Sequence, residues 1–163
     1  MKNLYLIRHA KSDWSDGSHS DFDRGLNKRG EKAIFTMAHV LKEKKIIPDL
    51  ILSSSAKRTT LTSQGLAKEL GYSGKIKYMD ALYLSEPETV YELIKEVDNT
   101  IDTLFVVGHN PETTELSNML IDDYIDNVPT LGIVGLNLGI QKWRKFKIDK
   151  YSLEFFIYPK MFN

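Results

Sequence analysis

Three short apolar runs restrict the fold of this chain more than any other feature of its sequence. Residues 4–7, 50–52 and 104–107 are apolar without the alternation of a half-exposed strand. Strands of that kind are covered on both faces, as they are in a parallel sheet flanked by helices. The runs are therefore predicted to be parallel strands of an α/β fold.

The stretches between these runs have the features of crossover helices. Apolar residues recur at helical spacing over residues 26–45, and Asn27 is placed to cap that helix. A helix over residues 56–70 is predicted to begin with Ser54 or Ser55 as its cap. Two more helices are predicted where a proline fits the first helical position, at Pro87 and at Pro111.

The last part of the chain has a different pattern. Residues 133–138 and 153–158 resemble strands, but no apolar helical stripe lies between them. Because parallel neighbours need a crossover, usually a helix, one of these two strands is predicted to run antiparallel. The expected fold is a three-layer α/β/α sandwich with a mostly parallel sheet and one antiparallel strand near the C-terminus. A chain of 163 residues is the length of one typical domain, and residues 1–163 are therefore expected to form a single domain.

Composition argues against several kinds of protein. Lys and Arg number 22 against 22 Asp and Glu, so no excess of positive charge indicates binding to nucleic acid or to an acidic membrane. The chain has no cysteine, which excludes disulfides and thiolate metal sites. No apolar run approaches the roughly 20 residues of a membrane span, and the first run is too short for a signal peptide. We therefore expect a cytoplasmic monomer without nucleic-acid or membrane partners.

Arginine and histidine side chains follow all three apolar runs. Arg8 and His9 come after the first run, Arg58 after the second and His109 after the third. The carboxyl ends of parallel strands meet at one edge of a sheet, where α/β proteins bind their ligands. Guanidinium groups grip two phosphate oxygens at once, and helix N-termini add N–H donors. The four residues therefore predict a phosphate site.

His9 is the predicted nucleophile of this site. A neutral imidazole nitrogen can attack phosphorus and leave again as a neutral group. The neighbouring cations should lower the pKa of His9 and keep its ring unprotonated. Arg8, Arg58 and His109 would then stabilise the charge on the transferred phosphoryl group.

The three strand ends resemble the motifs of the histidine phosphatase superfamily, whose fold is that of phosphoglycerate mutase. The matching strings are Leu-Ile-Arg-His-Ala at 6–10, Ser-Ser-Ser-Ala-Lys-Arg-Thr at 53–59 and Val-Gly-His-Asn-Pro at 107–111. The short length and the string Arg-His-Ala-Lys-Ser-Asp-Trp at 8–14 resemble its compact SixA-like phosphohistidine phosphatases. The resemblance implies a phosphorylated His9, a phosphate bound by Arg8, Arg58 and His109, and no cofactor.

The chain also departs from the usual pattern of that superfamily. Most members begin Arg-His-Gly-Glu and carry Asn six residues after the His, whereas this chain has Ala10, Lys11 and Ser15 there. Ser15 could donate one hydrogen bond to phosphate, and Lys11 either widens the positive mouth of the site or is solvated. The usual general acid lies in a Leu-x-Glu pattern, but residues 82–84 read Leu-Tyr-Leu. The acid is therefore expected to be missing.

A missing acid favours a substrate with a P–N bond. Protonation of a leaving alkoxide is worth about 10²–10⁴-fold, whereas imidazole, with a pKa of about 6.5, leaves without a strong acid. Phosphohistidine on a protein is therefore the favoured substrate. The alternatives are a small phosphomonoester such as a sugar phosphate, or a module that binds phosphate or a phosphoprotein without catalysis. Four carboxyl groups could replace the acid: Asp21, Asp23, Glu86 and Glu88.

No metal site is predicted, because none of the four histidines has the i, i+4 spacing of a ligand pair. Aromatic residues could line a pocket but are more often packing residues: Trp14, Tyr83, Tyr124 and Trp143. The basic run 143–147 is expected to form an exposed turn.

Overall fold

The computed structural model of the protein describes residues 1–15 and 17–163, with a six-stranded sheet at its centre. The strands within these residues are β1 (Asn3–Arg8), β2 (Leu50–Ser54), β3 (Ile76–Met79), β4 (Thr103–Gly108), β5 (Ile133–Asn137) and β6 (Ser152–Ile157). Four α-helices are described alongside them: α1 (Lys28–Glu43), α2 (Lys57–Leu70), α3 (Pro87–Lys95) and α4 (Glu112–Leu120).

The order of strands in the sheet is β3-β2-β4-β1-β5-β6. β4 pairs in parallel with β1 on one side and with β2 on the other, and β3 extends the parallel part beyond β2. β5 runs antiparallel to both β1 and β6. The predicted α/β class and its mostly parallel sheet are thereby confirmed, and β5 is the antiparallel strand.

Two apolar clusters cover the two faces of the sheet, and β1 contributes to both. Leu4 and Leu6 pack in the cluster that includes residues of α3 and α4. Tyr5 and Ile7 pack in the other, with residues of α1 and α2. Because both faces of β1 are buried, apolar side chains are required on each face. This is why the sequence of the run does not alternate between apolar and polar residues.

The start of α1 follows the prediction, whereas the start of α2 does not. The Asn27 side chain accepts a hydrogen bond of 2.8 Å from the N–H of Gly30 and caps α1. The N-cap of α2 is Ala56, and no side chain caps that helix. The predicted Ser54 or Ser55 cap is therefore wrong: the Ser54 hydroxyl accepts at 3.3 Å from the N–H of Ala56, which is the N-cap residue itself, and neither hydroxyl accepts from an N–H inside the helix. The Ser54 hydroxyl contacts the His109 ring, and the Ser55 hydroxyl donates to Asp80.

The other helix ends lie close to their predicted places. Gly71 ends α2 in the left-handed conformation, with φ 69. Pro87 is the first residue of α3, as predicted. α4 begins at Glu112, one residue later than predicted, and Pro111 is its N-cap. No helix in the described part of the chain is long and apolar enough to cross a bilayer. Cytoplasmic location, monomeric state and a single domain stay predictions.

The basic run near the C-terminus is only partly exposed. Trp143 and Phe146 are 0% and 1% exposed and belong to the core. The Trp143 indole donates to the carbonyl of Ile101 at 2.7 Å. The expectation that the whole run is exposed is therefore wrong, because its two aromatic rings turn inward while Arg144 and Lys145 stay in solvent.

Candidate active site

The carboxyl ends of β1, β2 and β4 bring the four predicted residues together. The β1–β4 register pairs Arg8 with Gly108, so His9 and His109 each follow the last paired residue of their strands. The centroids of these two rings are 5.4 Å apart. Arg58 is the second residue of α2, which follows β2. All four residues line one cavity of about 280 Å³.

The backbone of Arg8 and His9 is held from both neighbouring strands. The N–H of His9 donates to the Gly108 carbonyl at 3.0 Å. From the other side, the N–H of Leu131, just before β5, lies 3.0 Å from the carbonyl oxygens of both Arg8 and His9. The Arg8 guanidinium donates through Nη1 to the Val128 carbonyl at 3.1 Å. The segment that precedes the antiparallel strand β5 therefore helps to fix the positions of Arg8 and His9.

His9 has a defined tautomer. Its Nδ1 lies 2.7 Å from the Ala10 carbonyl oxygen, which can only accept, so Nδ1 carries the proton and Nε2 is bare. Burial is the main cause that lowers the pKa of His9, to about 3, with smaller contributions from His109 and the arginines and an opposing one from the Ala10 hydrogen bond. The ring is therefore neutral near pH 7, with an unprotonated Nε2.

His109 is also buried and neutral. It is 5% exposed, and its Nε2 lies 2.8 Å from the Ser54 hydroxyl. Burial, followed by the positive charge of Arg58, lowers the pKa of His109 to about 4. The Tyr83 ring packs edge-on against it, with centroids 5.7 Å apart.

Buried nitrogen atoms around the cavity lack hydrogen-bond partners among the residues that the structure describes. They are Nε of Arg8, Arg24 and Arg58, and Nδ1 of His109. Each of these residues lines the cavity. A buried donor without a partner costs about 1–3 kcal/mol. A bound oxyanion would accept hydrogen bonds from the guanidinium groups and offset that cost.

The loop between β1 and α1 places a carboxylate against Arg58. The Asp21 carbonyl accepts from Arg58 Nη1 at 2.6 Å, and the Asp21 carboxylate accepts from Nη2 at 3.2 Å. The same carboxylate accepts from Arg24 Nη1 at 2.8 Å and from the Tyr83 hydroxyl at 2.6 Å. Asp21 thus links both arginines to Tyr83.

These contacts keep Asp21 ionised. The hydrogen bond from Tyr83, with those of the two arginines, holds the pKa of the Asp21 carboxyl well below its usual range. A carboxylate in that state has no proton to donate near pH 7. Because Asp21 occupies Nη1 and Nη2 of Arg58, it also fixes the guanidinium and leaves Nε without a protein partner.

Arg24 and Trp14 are cavity residues that the sequence reasoning missed or left open. The Arg24 guanidinium carbon lies 3.6 Å from the centroid of the Trp14 ring, and both side chains line the cavity. Trp14 is 75% exposed, so it stands at the mouth of the cavity. Arg24 lies in a polar loop, and no local pattern marks it as part of the site.

The remaining predicted residues lie around the cavity or outside it. Lys11 is exposed and lines the cavity. Ser15 does not line it, and its hydroxyl donates to Asp13 at 2.6 Å, so Ser15 reaches a phosphate there only if the loop rearranges. Three carboxyl groups proposed as replacement acids are also outside the cavity lining: Asp23, Glu86 and Glu88.

A buried carboxyl group that the sequence reasoning missed lies at the start of α4. Glu112 is 3% exposed, and burial raises its pKa. Its carboxylate accepts from the Ser85 hydroxyl at 3.1 Å, which ties α4 to the loop before α3. Glu112 does not line the cavity. Among the described residues, no group of three or more His, Asp or Glu side chains is arranged to hold a metal ion.

Comparison with protein families gives a match over the first half of the chain. The model of the histidine phosphatase superfamily (branch 1) matches residues 4–83, which include His9 after β1 and Arg58 in the first turn of α2. An uncharacterized protein of Mycobacterium tuberculosis is 35% identical over 114 residues, which are 70% of this chain and 69% of that protein.

Two solved structures match almost the whole chain. One, from Agrobacterium tumefaciens, is provisionally assigned as the phosphohistidine phosphatase SixA. It is 30% identical with a TM-score of 0.82, and the match covers 97% of this chain and 98% of that one. The other, the protein histidine phosphatase SixA complexed with tungstate, is 18% identical with a TM-score of 0.84 and 99% coverage of both chains. At 18% identity, the match to the second structure shows only that the two chains share a fold.

Asp21→Asn should strengthen the binding of inorganic phosphate. The carboxylate opposes an anion in the cavity and competes with it for Arg58, whereas an amide keeps an acceptor for Nη2 without the charge. Because the negative charge of Asp21 lies next to Arg58, its removal should make the binding of inorganic phosphate about three- to ten-fold tighter at low salt. Isothermal titration calorimetry at pH 7 measures the change.

Asp23→Asn is the matched control for that measurement. It removes the same charge from the same loop, but Asp23 is exposed and accepts from Ser20 rather than from an arginine of the cavity. Equal phosphate affinity in wild type and Asp21→Asn, or an equal gain in both variants, would contradict a specific competition for Arg58.

The two buried histidines should make the protein less stable as pH falls. Their folded-state pKa values, about 3 for His9 and about 4 for His109, lie below the unfolded value of about 6.5. Between about pH 6.5 and 4 the unfolded chain therefore binds protons that the folded chain does not. The free energy of unfolding should drop by at most about 1.4 kcal/mol per pH unit for each histidine.

Urea unfolding at pH 7, 6 and 5 measures this slope. The double variant His9→Gln with His109→Gln should reduce the slope of the free energy of unfolding against pH. A second double variant that removes the exposed His19 and His39 is the control, because it lacks the same number of histidines. A slope that survives the loss of His9 and His109 would show that other groups set it.

Proposed function

The chain belongs to the histidine phosphatase superfamily and is a phosphatase, and we propose that it acts without a metal, through a phosphohistidine intermediate on His9. The superfamily and the enzyme class predicted from the three strand-end motifs are thereby confirmed. Within the broad class of phosphoproteins and small phosphate esters, the favoured substrate is phosphohistidine on a protein.

The state of the His9 ring carries this proposal. A nucleophilic imidazole needs one bare nitrogen, and the Ala10 carbonyl directs the only ring proton to Nδ1. Burial keeps the ring neutral, so the lone pair of Nε2 is available near pH 7. The cavity around it is lined by Arg8, Arg24 and Arg58, which suit the charge of a phosphoryl group.

The proposed reaction has two steps. In the first, His9 Nε2 forms a bond to phosphorus while the bond to the leaving group breaks, and Arg8, Arg58 and His109 hold the phosphoryl oxygens. A leaving imidazole departs neutral, because its other ring nitrogen, with an ordinary pKa of about 6.5, takes up a proton from the solvent before the P–N bond breaks, and the bonding electron pair stays on the departing nitrogen. In the second step, water attacks phosphorus, inorganic phosphate forms, and the electron pair returns to Nε2.

The carboxyl groups near the site support a P–N substrate. Asp21 stays ionised against Arg58 and Arg24, so it has no proton for a leaving alkoxide near pH 7. Asp21 itself does not line the cavity, and neither do the other carboxyl groups proposed from the sequence. Without a donor, an alkyl ester loses about 10²–10⁴-fold in rate, whereas phosphohistidine does not depend on one.

The size of the cavity also suits a side chain presented from a larger partner. Its volume of about 280 Å³ lies at the lower end of the roughly 300–1,000 Å³ of small-molecule pockets. A phosphoryl group and an imidazole ring fit such a space, and the rest of the substrate would remain outside, beside Lys11 and Trp14.

A labelling experiment tests the intermediate. Incubation with a phosphohistidine donor labelled in its phosphoryl group should place acid-labile label on His9, and His9→Ala should lose both the label and the turnover. His39→Ala, which removes an exposed histidine of α1, is the control and should label like wild type. Equal labelling and turnover in His9→Ala would reject the mechanism.

A substrate series tests the P–N preference. With chelator present, kcat/KM for phosphohistidine should exceed that for alkyl phosphates by at least about 10²-fold, because no protein group protonates an alkoxide. Chelator itself should change neither rate. Similar rates for both substrates, together with a steep loss in Asp23→Asn or Glu86→Gln, would instead favour the small phosphomonoester.

A further inference from the structure

A second, larger groove of about 740 Å³ adjoins the catalytic cavity. Asn110 lines both spaces. Its amide donates to the Val128 carbonyl at 3.0 Å, and the same carbonyl accepts from the Arg8 guanidinium. The groove therefore begins at the wall of the catalytic cavity and is lined by the first residues of α3, by one face of α4 from Thr114 to Met119, and by Tyr124, Asp126 and Asn127.

The groove has the opposite charge from the cavity. The carboxylates of Glu88, Glu115 and Asp126 line it, and none of them forms an ion pair with a described residue. No lysine or arginine is among the described residues that line it. Lys150 approaches α4 but donates to the carbonyl groups of Asn118 and Ile121.

The groove also offers apolar and aromatic surface. Tyr124 is 78% exposed, and Met119 is half-buried beside it in the lining. Lysine and arginine side chains pack their aliphatic stems on such surface while their charged ends reach carboxylates. An exposed tyrosine ring also attracts a cation. The groove therefore fits a long side chain that is apolar along its stem and positive at its tip.

We propose that this groove docks a basic segment of the substrate protein next to its phosphohistidine. The proposal rests on the proposed function, in which the substrate is a phosphoprotein. An extended chain spans about 3.3–3.6 Å per residue, so a lysine or arginine within a few residues of the phosphohistidine reaches the groove from the cavity. The arginines then hold the phosphoryl group while the carboxylates hold the flanking cation, and an acidic flank is repelled.

Two synthetic peptides test the docking. Each carries one phosphohistidine, and they differ only at the flanking positions, which are lysine in one and glutamate in the other. Wild type should hydrolyse the lysine peptide with kcat/KM at least about ten-fold higher, mainly through KM. The difference should shrink as ionic strength rises from about 0.05 to 0.5 M, because salt screens exposed charges.

A double variant tests whether the groove is responsible. Glu115→Gln with Asp126→Asn should remove most of the preference for the lysine peptide. Turnover of free phosphohistidine, which has no flanking segment, should stay at the wild-type value. Glu69→Gln with Glu96→Gln is the matched control. It removes the same charge at the C-terminal ends of α2 and α3, at the opposite edge of the sheet, and should keep the preference.

The outcomes separate the docking proposal from the proposed function. Equal kcat/KM for the two peptides in wild type, or a preference that survives in the groove double variant, would overturn docking while phosphohistidine hydrolysis stands. No turnover of either peptide or of free phosphohistidine, with alkyl phosphates hydrolysed, would instead overturn the proposed function.

Discussion

The parallel pairing of β4 with β1 and β2 is the constraint on which the site depends. It sets Arg8 beside Gly108, so that His9 and His109 leave their strands at the same level. Side chains alternate between the faces of a strand, so a shift of one residue would turn one histidine away from the other. The core side chains that cover both faces of β1 and β4 fix this register, and therefore the reacting geometry depends on apolar packing well below the cavity.

This geometry concentrates positive charge, and the loop between β1 and α1 balances it. Arg8, Arg24 and Arg58 converge on two neutral imidazoles, and Asp21 is the acceptor that two of the arginines share. The carboxylate orders Arg58 while the cavity holds no anion, but it also opposes an anion that enters. Asp21 therefore has two opposing effects: it orders the Arg58 guanidinium before an anion binds, and it weakens the binding of that anion. This residue lies in a loop rather than on the sheet.

The parts of the site that follow from local sequence could be predicted, and the parts that depend on distant contacts could not. Arg8, His9 and His109 could be predicted because Arg8 ends β1 and the two histidines directly follow β1 and β4. Asp21 meets Arg58 across 37 positions, through an irregular loop with no periodic pattern. The Ser54 hydroxyl, predicted as a helix cap, instead contacts the ring of His109, which directly follows β4. Trp143 is a packing residue, as predicted, but the run 143–147 is not the exposed turn that its charged neighbours indicated, because this aromatic ring is 0% exposed.

Selection of the substrate must come largely from outside the cavity. In the proposed function a missing proton donor disfavours alkyl esters, but phosphohistidines modified on the same ring nitrogen present the same phosphoryl group and ring to a space of about 280 Å³. Two phosphoproteins can therefore differ only in what surrounds the modified residue. We propose that the surface around the cavity supplies that discrimination: Lys11 and Trp14 line the cavity, and Asn110 lines both the cavity and a groove with three carboxylates. A catalytic site that recognises only the phosphoryl group and its ring requires a charged periphery to choose the protein that carries them.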